Sequence, residues 1–321
     1  MDQAEGLRNI IKKNNLMSAS AQQAGQPLYS QPQNSQLQYD QPQYTQPQRP
    51  LARVITVTSG KGGVGKSNVS VNLAVQMKKR GLRVVILDAD FGLANIEIMF
   101  GTVPEHNLSD LIYKGKGMRD IITWGPGGVG FISGGSGIAG LSNLSREDFT
   151  YIVQNLAELD AIADVIIVDT GAGISDAVLE FLIAGGEIIL VTTPEPTSIT
   201  DSYSLLKMLN SHPGFRKEST QLRVLTNRVE SEKEGRALFD KLNAVVSKYL
   251  KLPMTHLGSV PQDNQLVKAV LQQTPVSLQS ENAKSTRAFV EITDRLLAGE
   301  TASQVKKRGI AAFFSHIVTG K

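Results

Sequence analysis

Unbroken runs of Val, Ile and Leu, rather than an alternation of apolar and polar positions, mark the strands of this chain. "ARVITVTSG" from Ala52, "LRVVILDAD" from Leu82, "ADVIIVDTGAG" from Ala163, "GEIILVTTPEP" from Gly186 and "QLRVLTNRV" from Gln221 each carry one. Such runs suit strands covered on both faces, as in parallel sheets. Between them the spacing predicts helices: "SNVSVNLAVQMKKRG", closed by Gly81, then residues 145–160, 198–211, 232–250 and 281–297. Strand and helix in alternation give a doubly wound α/β domain with a mostly parallel sheet over residues 51–297. Ligands of such sheets sit beyond the carboxyl ends of the strands.

Three flanking segments break this texture. In residues 1–17, Ala4, Leu7 and Ile11 fall on one helical face, in a segment too short to hold a helix alone in water. Residues 18–50 repeat Gln, Pro and Tyr with almost no charge. They read as a disordered spacer able to span about 30–35 Å. In the tail, 298–321, the apolar positions Ile310, Phe313, Phe314, Ile317 and Val318 recur at helical spacing, just after Lys306, Lys307 and Arg308. An apolar stripe beside a basic cluster predicts a helix lying in an anionic membrane surface, with a core-packed helix as the other reading.

Composition narrows the chemistry. The 321 residues, 41% of them hydrophobic, can build one sizeable core. A net charge of +3 is no global footprint for nucleic acid, so no specific nucleic-acid partner is expected. With no cysteine, disulfides, Cys-ligated zinc and iron–sulfur clusters are excluded. No run of 18 apolar residues occurs, and the first residues lack the basic start and apolar core of a signal peptide. A cytoplasmic protein, peripheral to the inner face of the membrane, is the expectation.

The chemistry gathers at the strand ends. "TSGKGGVGKS" satisfies G-x-x-x-x-G-K-[ST] through Gly60, Gly65, Lys66 and Ser67, in the order strand, loop, helix that a P-loop needs. Gly62, Gly63 and Gly65 let backbone N–H groups close on phosphate oxygens at a helix N-terminus. Lys66 is then expected to bridge β- and γ-phosphates, and Ser67 to bind Mg²⁺. Asp169, after four apolar residues, fits the strand-end carboxylate that holds Mg²⁺. Asp88 and Asp90 stand at the end of the second strand, and at most one of them is expected to face the γ-phosphate. Lys61, inside the loop, is one lysine more than the pattern requires.

"KGGVGKS", "DADFGLAN", "DTGAG", "TTPEP", "TNRV" and "VPQD", in that order, resemble the MinD/ParA group of deviant Walker A ATPases, from about Leu51 to about Leu297. The resemblance implies an ATP-sandwich homodimer in which Lys61 reaches the partner's phosphates. It implies that Lys61, Lys66 and Asp90 are catalytic, with Asp90 positioning the attacking water, and that Ser67, Asp90 and Asp169 serve Mg²⁺. ATP or ADP would also meet Val64, Asn68 and Asp88, with adenine near Asn227, Arg228, Pro261 and Asp263.

The segment "DQAEGLR" at Asp2 is similar to the D-Q-A-x-x-L-R motif of the flagellar MinD-like ATPases. That similarity implies that Gln3, Ala4, Leu7 and Arg8 bind and activate a signal-recognition-type GTPase, FlhF. It also implies flagellar switch-complex partners and control of flagellar number and placement. Another reading is a MinD- or ParA-type ATPase for division-site placement or DNA partition. An iron–sulfur relative of the same fold is removed by the missing cysteines. A tyrosine kinase would need a C-terminal tyrosine cluster, and the last tyrosine is Tyr249.

Overall fold

The computed structural model describes residues 51–90, 95–134, 151, 154–298, 309–310 and 312–313. Gln3, Ala4, Leu7, Arg8, Phe314, Ile317 and Val318 lie outside them, as do 145–150, the start of one expected helix. Its strands are β1 (Arg53–Ser59), β2 (Val84–Ala89), β3 (Thr123–Trp124), β4 (Gly130–Ile132), β5 (Val165–Ala172), β6 (Glu187–Thr192), β7 (Gln221–Val229) and β8 (Thr255–Pro261). They form one sheet in the order β3-β4-β2-β5-β1-β6-β7-β8. Only the β3–β4 pair, at one edge, is antiparallel. The unbroken apolar runs are explained by this burial, since β2 and β6 are buried at every position.

Helices cover both faces. They are α1 (Lys66–Lys79), α2 (Asn95–Phe100), α3 (Leu108–Tyr113), α4 (Leu159–Ile162), α5 (Asp176–Ala184), α6 (Pro196–Ser211), α7 (Glu232–Tyr249), α8 (Asn264–Leu271), α9 (Val276–Gln279) and α10 (Lys284–Ala298). On one face, Val69, Leu73 and Met77 of α1 pack with Phe289 and Ile292 of α10 over Ile55 and Ile86. On the other, Leu205 and Leu209 of α6 pack with Phe239 and Leu242 of α7 over Ile188 and Leu190. Local chemistry sets the ends. Gly81 takes φ +85° and donates its N–H to Lys78 O, stopping α1 where the sequence places the stop. Ser175 and Ser231 cap α5 and α7, and Pro196 opens α6.

The amino ends of the central strands are tied by charge. Glu187 accepts two hydrogen bonds of 2.8 Å from Arg53 and one of 2.7 Å from Arg223. Arg53 also donates to Leu296 O, at the end of α10. Burial alone would push the Glu187 carboxyl up, but the two guanidiniums outweigh it and hold it below the usual carboxylate range.

The tail does not present its whole stripe outward. Ile310 is 0% exposed and Phe313 is 3% exposed, in the same apolar cluster as Ala52, Leu159 and Phe181. The rings of Phe313 and Phe181 stack at 6.2 Å. Ile310 N–H donates to Asp160 Oδ1 at 3.1 Å, an oxygen that also takes Ala52 N–H at 3.2 Å. These two residues, expected at a membrane, are here packed as the core-helix reading requires. An apolar face buries itself against whatever apolar surface is present, and the domain supplies one.

Candidate functional site

β1 ends in the loop Gly60–Gly65 at the middle of the sheet, between β5 and β6. Gly65 sits at φ +93°, the left-handed turn that aims the loop into α1. Gly60 has a different reason. A Cβ there would lie 2.3–2.4 Å from backbone atoms of Asp201 and Ser202, so α6 rests directly on the loop. Beyond the strand ends lies a pocket of about 640 Å³. It gathers Gly62, Gly63, Gly65, Lys66, Ser67, Asn68, Asp90, Asn227, Arg228, Pro261 and Asp263, all expected at the nucleotide. Lys61, Val64, Asp88 and Asp169 are not among its walls.

Two carboxylates stand opposite each other beneath the loop, and one of them pairs with Lys66. Parallel pairing sets Asp88 directly opposite Asp169. Lys66 Nζ lies 3.2 Å from Asp169 Oδ1, which also accepts a 2.8 Å hydrogen bond from Ser70. Burial, and then the Asp169 charge, push the Asp88 carboxyl up to about 7. Asp88 was expected to meet the nucleotide, but it is 1% exposed and binds backbone instead. Its oxygens accept Asp90 N–H and Ile96 N–H, both at 3.1 Å, so it clamps the chain on either side of residues 91–94. Asp90 does face the pocket, with Asn95 Nδ2 donating to its Oδ2. Two positions apart, the pair would share a face in a regular strand; Asp90 lies past the end of β2 at Ala89, and so faces the pocket while Asp88 stays buried.

Among the described residues, no three acidic or histidine side chains are arranged to cage a metal. The residues fit Mg²⁺ arriving with a nucleotide instead. Asp169 Oδ2 is buried with no hydrogen-bond partner. The Ser67 hydroxyl and the Asp90 carboxylate line the pocket, and phosphate and water would fill the remaining positions.

The second lysine of the loop turns away from this centre. Lys61 Nζ makes a 2.7 Å ion pair with Glu195 and a 2.8 Å hydrogen bond to Thr197, at the start of α6. That hydrogen bond and charge hold the exposed Glu195 carboxyl below its usual range. Sequence reasoning missed Glu195 and Thr197, although the motif "TTPEP" contains the glutamate. It also missed what engages the two polar residues expected at adenine. Asn227 Nδ2 donates to Val64 O at 2.8 Å. Asp263 accepts Gln265 N–H, Ser285 N–H and Ser285 Oγ–H, and so braces the loop rather than presenting a free carboxylate.

A model of the CobQ/CobB/MinD/ParA nucleotide-binding domain matches residues 55–276. The chain is 41% identical over 244 residues to the antiactivator FleN of Pseudomonas aeruginosa, covering 76% of this chain and 86% of that protein. It is 34% identical over 270 residues to the flagellum site-determining protein YlxH of Helicobacter pylori, covering 83% and 90%. Among solved structures, the septum site-determining protein MinD of Pyrococcus horikoshii, complexed with Mg-ADP, superposes with a TM-score of 0.59 at 23% identity, covering 79% of this chain and 100% of that one. That last likeness speaks for the fold. With the P-loop, the strand-end aspartates and the pocket in place, the chain belongs to the CobQ/CobB/MinD/ParA nucleotide-binding family, beside its flagellar MinD-like members.

Proposed function

We propose that this chain is an Mg²⁺-dependent ATPase that works as an ATP-sandwich homodimer and regulates the number and placement of flagella. The observation that carries this reading is the division of labour between the two loop lysines. Lys66 completes the phosphate site from within. Lys61 lies outside the pocket, on the exposed pair with Glu195 and Thr197, where a partner's phosphates could reclaim it. Tetra-anionic phosphate competes well with a single exposed carboxylate, because the exposed pair itself is weak. Asp90 then orients the attacking water, and Ser67 and Asp169 hold Mg²⁺.

Membrane attachment, on this reading, belongs to the dimer. No helix among the described residues is long and apolar enough to cross a membrane. A single short amphipathic tail binds marginally, and Ile310 and Phe313 must leave the core before they can insert. Two tails on one dimer gain avidity. Gln3, Ala4, Leu7 and Arg8 would engage an FlhF-type GTPase, and flagellar switch-complex proteins would be further partners. The kinship with a protein named for determining the flagellum site supports this over division-site placement or partition.

Light scattering with ADP, ATP and a slowly hydrolysed ATP analogue, with and without anionic liposomes, tests the reading. ATP and the analogue should give a dimer that pellets with liposomes, and ADP a monomer that does not. Asp90→Ala should trap the dimer, with turnover at least tenfold lower and ATP affinity kept. A monomer in every nucleotide would overturn the proposal.

A further inference from the structure

The P-loop pattern accounts for Ser67 of α1 but not for Ser70, one turn further along the helix and 0% exposed. Burying a hydroxyl without a partner is costly. Two acceptors lie within reach of its single hydrogen. One is the Lys66 carbonyl of its own helix, at 3.2 Å, the ordinary partner of a serine inside a helix. The other, at 2.8 Å, is Asp169 Oδ1 on β5. The contact to the carboxylate is the shorter one, and hydrogen bonds to an ionised acceptor are the stronger kind. The hydroxyl is therefore committed to Asp169.

Asp169 is fully buried as well, and its two oxygens are used differently. Oδ1 holds both Ser70 and, at 3.2 Å, the Lys66 ammonium, whereas Oδ2 has no hydrogen-bond partner. Two donors fill the lone pairs of one oxygen, so the capacity that remains is that of the other. This balance changes when phosphate enters the loop. Lys66 lines the pocket, and the β-phosphate of a bound nucleotide draws its ammonium away from Asp169. Ser70 does not follow, because it sits within α1 below the loop and is not among the pocket walls. It is then the donor left on Oδ1. Without it the buried carboxylate is free to turn just when its position matters.

We infer that Ser70 is a positioning residue for Mg²⁺: it holds Asp169 Oδ1 after Lys66 has turned to phosphate, and so keeps Oδ2 as the oxygen offered to the ion or to a water bound to it. The inference rests on the reading of the pocket as an Mg²⁺–nucleotide site, and adds to it a residue that never touches the ion. Donors that orient a metal's ligands from behind set metal affinity by about ten- to a hundredfold. A single neutral hydroxyl that leaves Asp169 in place stands at the low end of that range. Ser70→Ala removes one atom from a buried position and puts a better helix former into α1, so the fold is retained.

The experiment titrates Mg²⁺ into the full chain with a fluorescent ADP, so that neither turnover nor the proposed ATP dimer enters the readout. In Ser70→Ala the Mg²⁺ concentration at the midpoint should rise about tenfold. With Mg²⁺ removed by a chelator, ADP affinity should stay within about twofold of the unaltered chain. An unmoved Mg²⁺ midpoint would overturn the inference and leave Ser70 bonded to the Lys66 carbonyl alone. An equal loss with and without Mg²⁺ would also overturn it, since Ser70 would then support the loop rather than the ion. The path through Asp169 is tested separately. In an Asp169→Asn background, Ser70→Ala should shift the midpoint by less than about a further twofold, and a full additional shift would place Ser70 outside that path. If Mg²⁺ left ADP affinity unchanged in the unaltered chain, the Mg²⁺–nucleotide reading itself would fall, a result distinct from failure of Ser70.

Discussion

The sheet carries a charge cluster at each end, and they are built to opposite rules. At the amino ends of the strands, Glu187 sits between two guanidiniums, and Arg53 spends a further donor on Leu296 O. At the carboxyl ends, Asp169 pairs with Lys66 and stands opposite Asp88, and Asp169 Oδ2 has no hydrogen-bond partner. Both clusters are buried on the same sheet, so burial does not separate them. Saturation does. A closed cluster fixes β1, β6, β7 and the end of α10 to one another. An open one keeps unused acceptor capacity at Asp169 Oδ2, which Mg²⁺ arriving with a nucleotide could complete.

Breaking the closed cluster should have the largest effect on stability. Glu187→Gln strands the buried Arg53 and the partly buried Arg223 guanidiniums against an amide, and should cost about 3–5 kcal/mol in urea unfolding. The pH sign follows from the depressed carboxyl. Its stabilisation is complete above the unfolded value, near 4.5, and is lost as pH falls through the lower folded value. The variant's deficit should therefore shrink in acid. A deficit constant from pH 7 to pH 3 would mean that the cost comes from packing rather than from charge.

The open cluster was legible in the sequence and the closed one was not. P-loop residues are contiguous because backbone N–H groups must converge on phosphate, and the strand-end aspartates follow apolar runs that name their own position. Arg53, Glu187 and Arg223 come from strands 134 and 36 residues apart, and no local pattern joins them. The parallel fold was readable from the Val/Ile/Leu runs, whereas the two-residue strand β3 is too short to leave a period. Lys61 was visible as a surplus, but its holders Glu195 and Thr197 are brought to it only by the descent of α6 onto Gly60. The stripe at Ile310 and Phe313 was read correctly as apolar. Periodicity cannot say which apolar surface covers it, and here it is the cluster around Phe181.

A smaller effect, of opposite sign, should come from relieving the open cluster. The Asp88 carboxyl is raised from 3.8 to about 7, so the folded chain keeps a proton that the unfolded chain has given up between those values. Stability then falls as pH rises from about 4 to 7, by roughly 1.4 kcal/mol for each pH step of one within that window. Asp88→Asn removes that dependence. The amide also leaves one of the Asp90 and Ile96 N–H groups without its acceptor, a cost of about 1–3 kcal/mol that pH does not change. The informative quantity is therefore the variant's stability relative to the unaltered chain at pH 8 minus that at pH 4.5, which should be positive by more than about 1 kcal/mol. Turnover should fall as well, because the clamp around residues 91–94 is loosened beside Asp90. No pH dependence in the difference would mean that Asp88 is ionised throughout.

The smallest change in stability should come from the exposed pair, and it isolates the lysine that belongs to neither cluster. Lys61 is 35% and Glu195 51% exposed in their side chains, so their ion pair is screened by solvent and contributes little to stability. Lys61→Ala and Glu195→Gln should therefore leave the unfolding midpoint nearly unmoved, and separate only when ATP is added. Lys61→Ala keeps Lys66, Ser67 and Asp169, so the monomer should still bind ATP with affinity within about threefold, yet fail to dimerise. Glu195→Gln keeps the lysine and removes the charge that holds it, so dimers should form at lower ATP concentration than in the unaltered chain. Analytical ultracentrifugation across an ATP titration reads both. If Glu195→Gln weakened dimerisation as much as Lys61→Ala, Glu195 would be a guide that aims Lys61 at the partner rather than a competitor for it, and the pair would have to persist in the dimer.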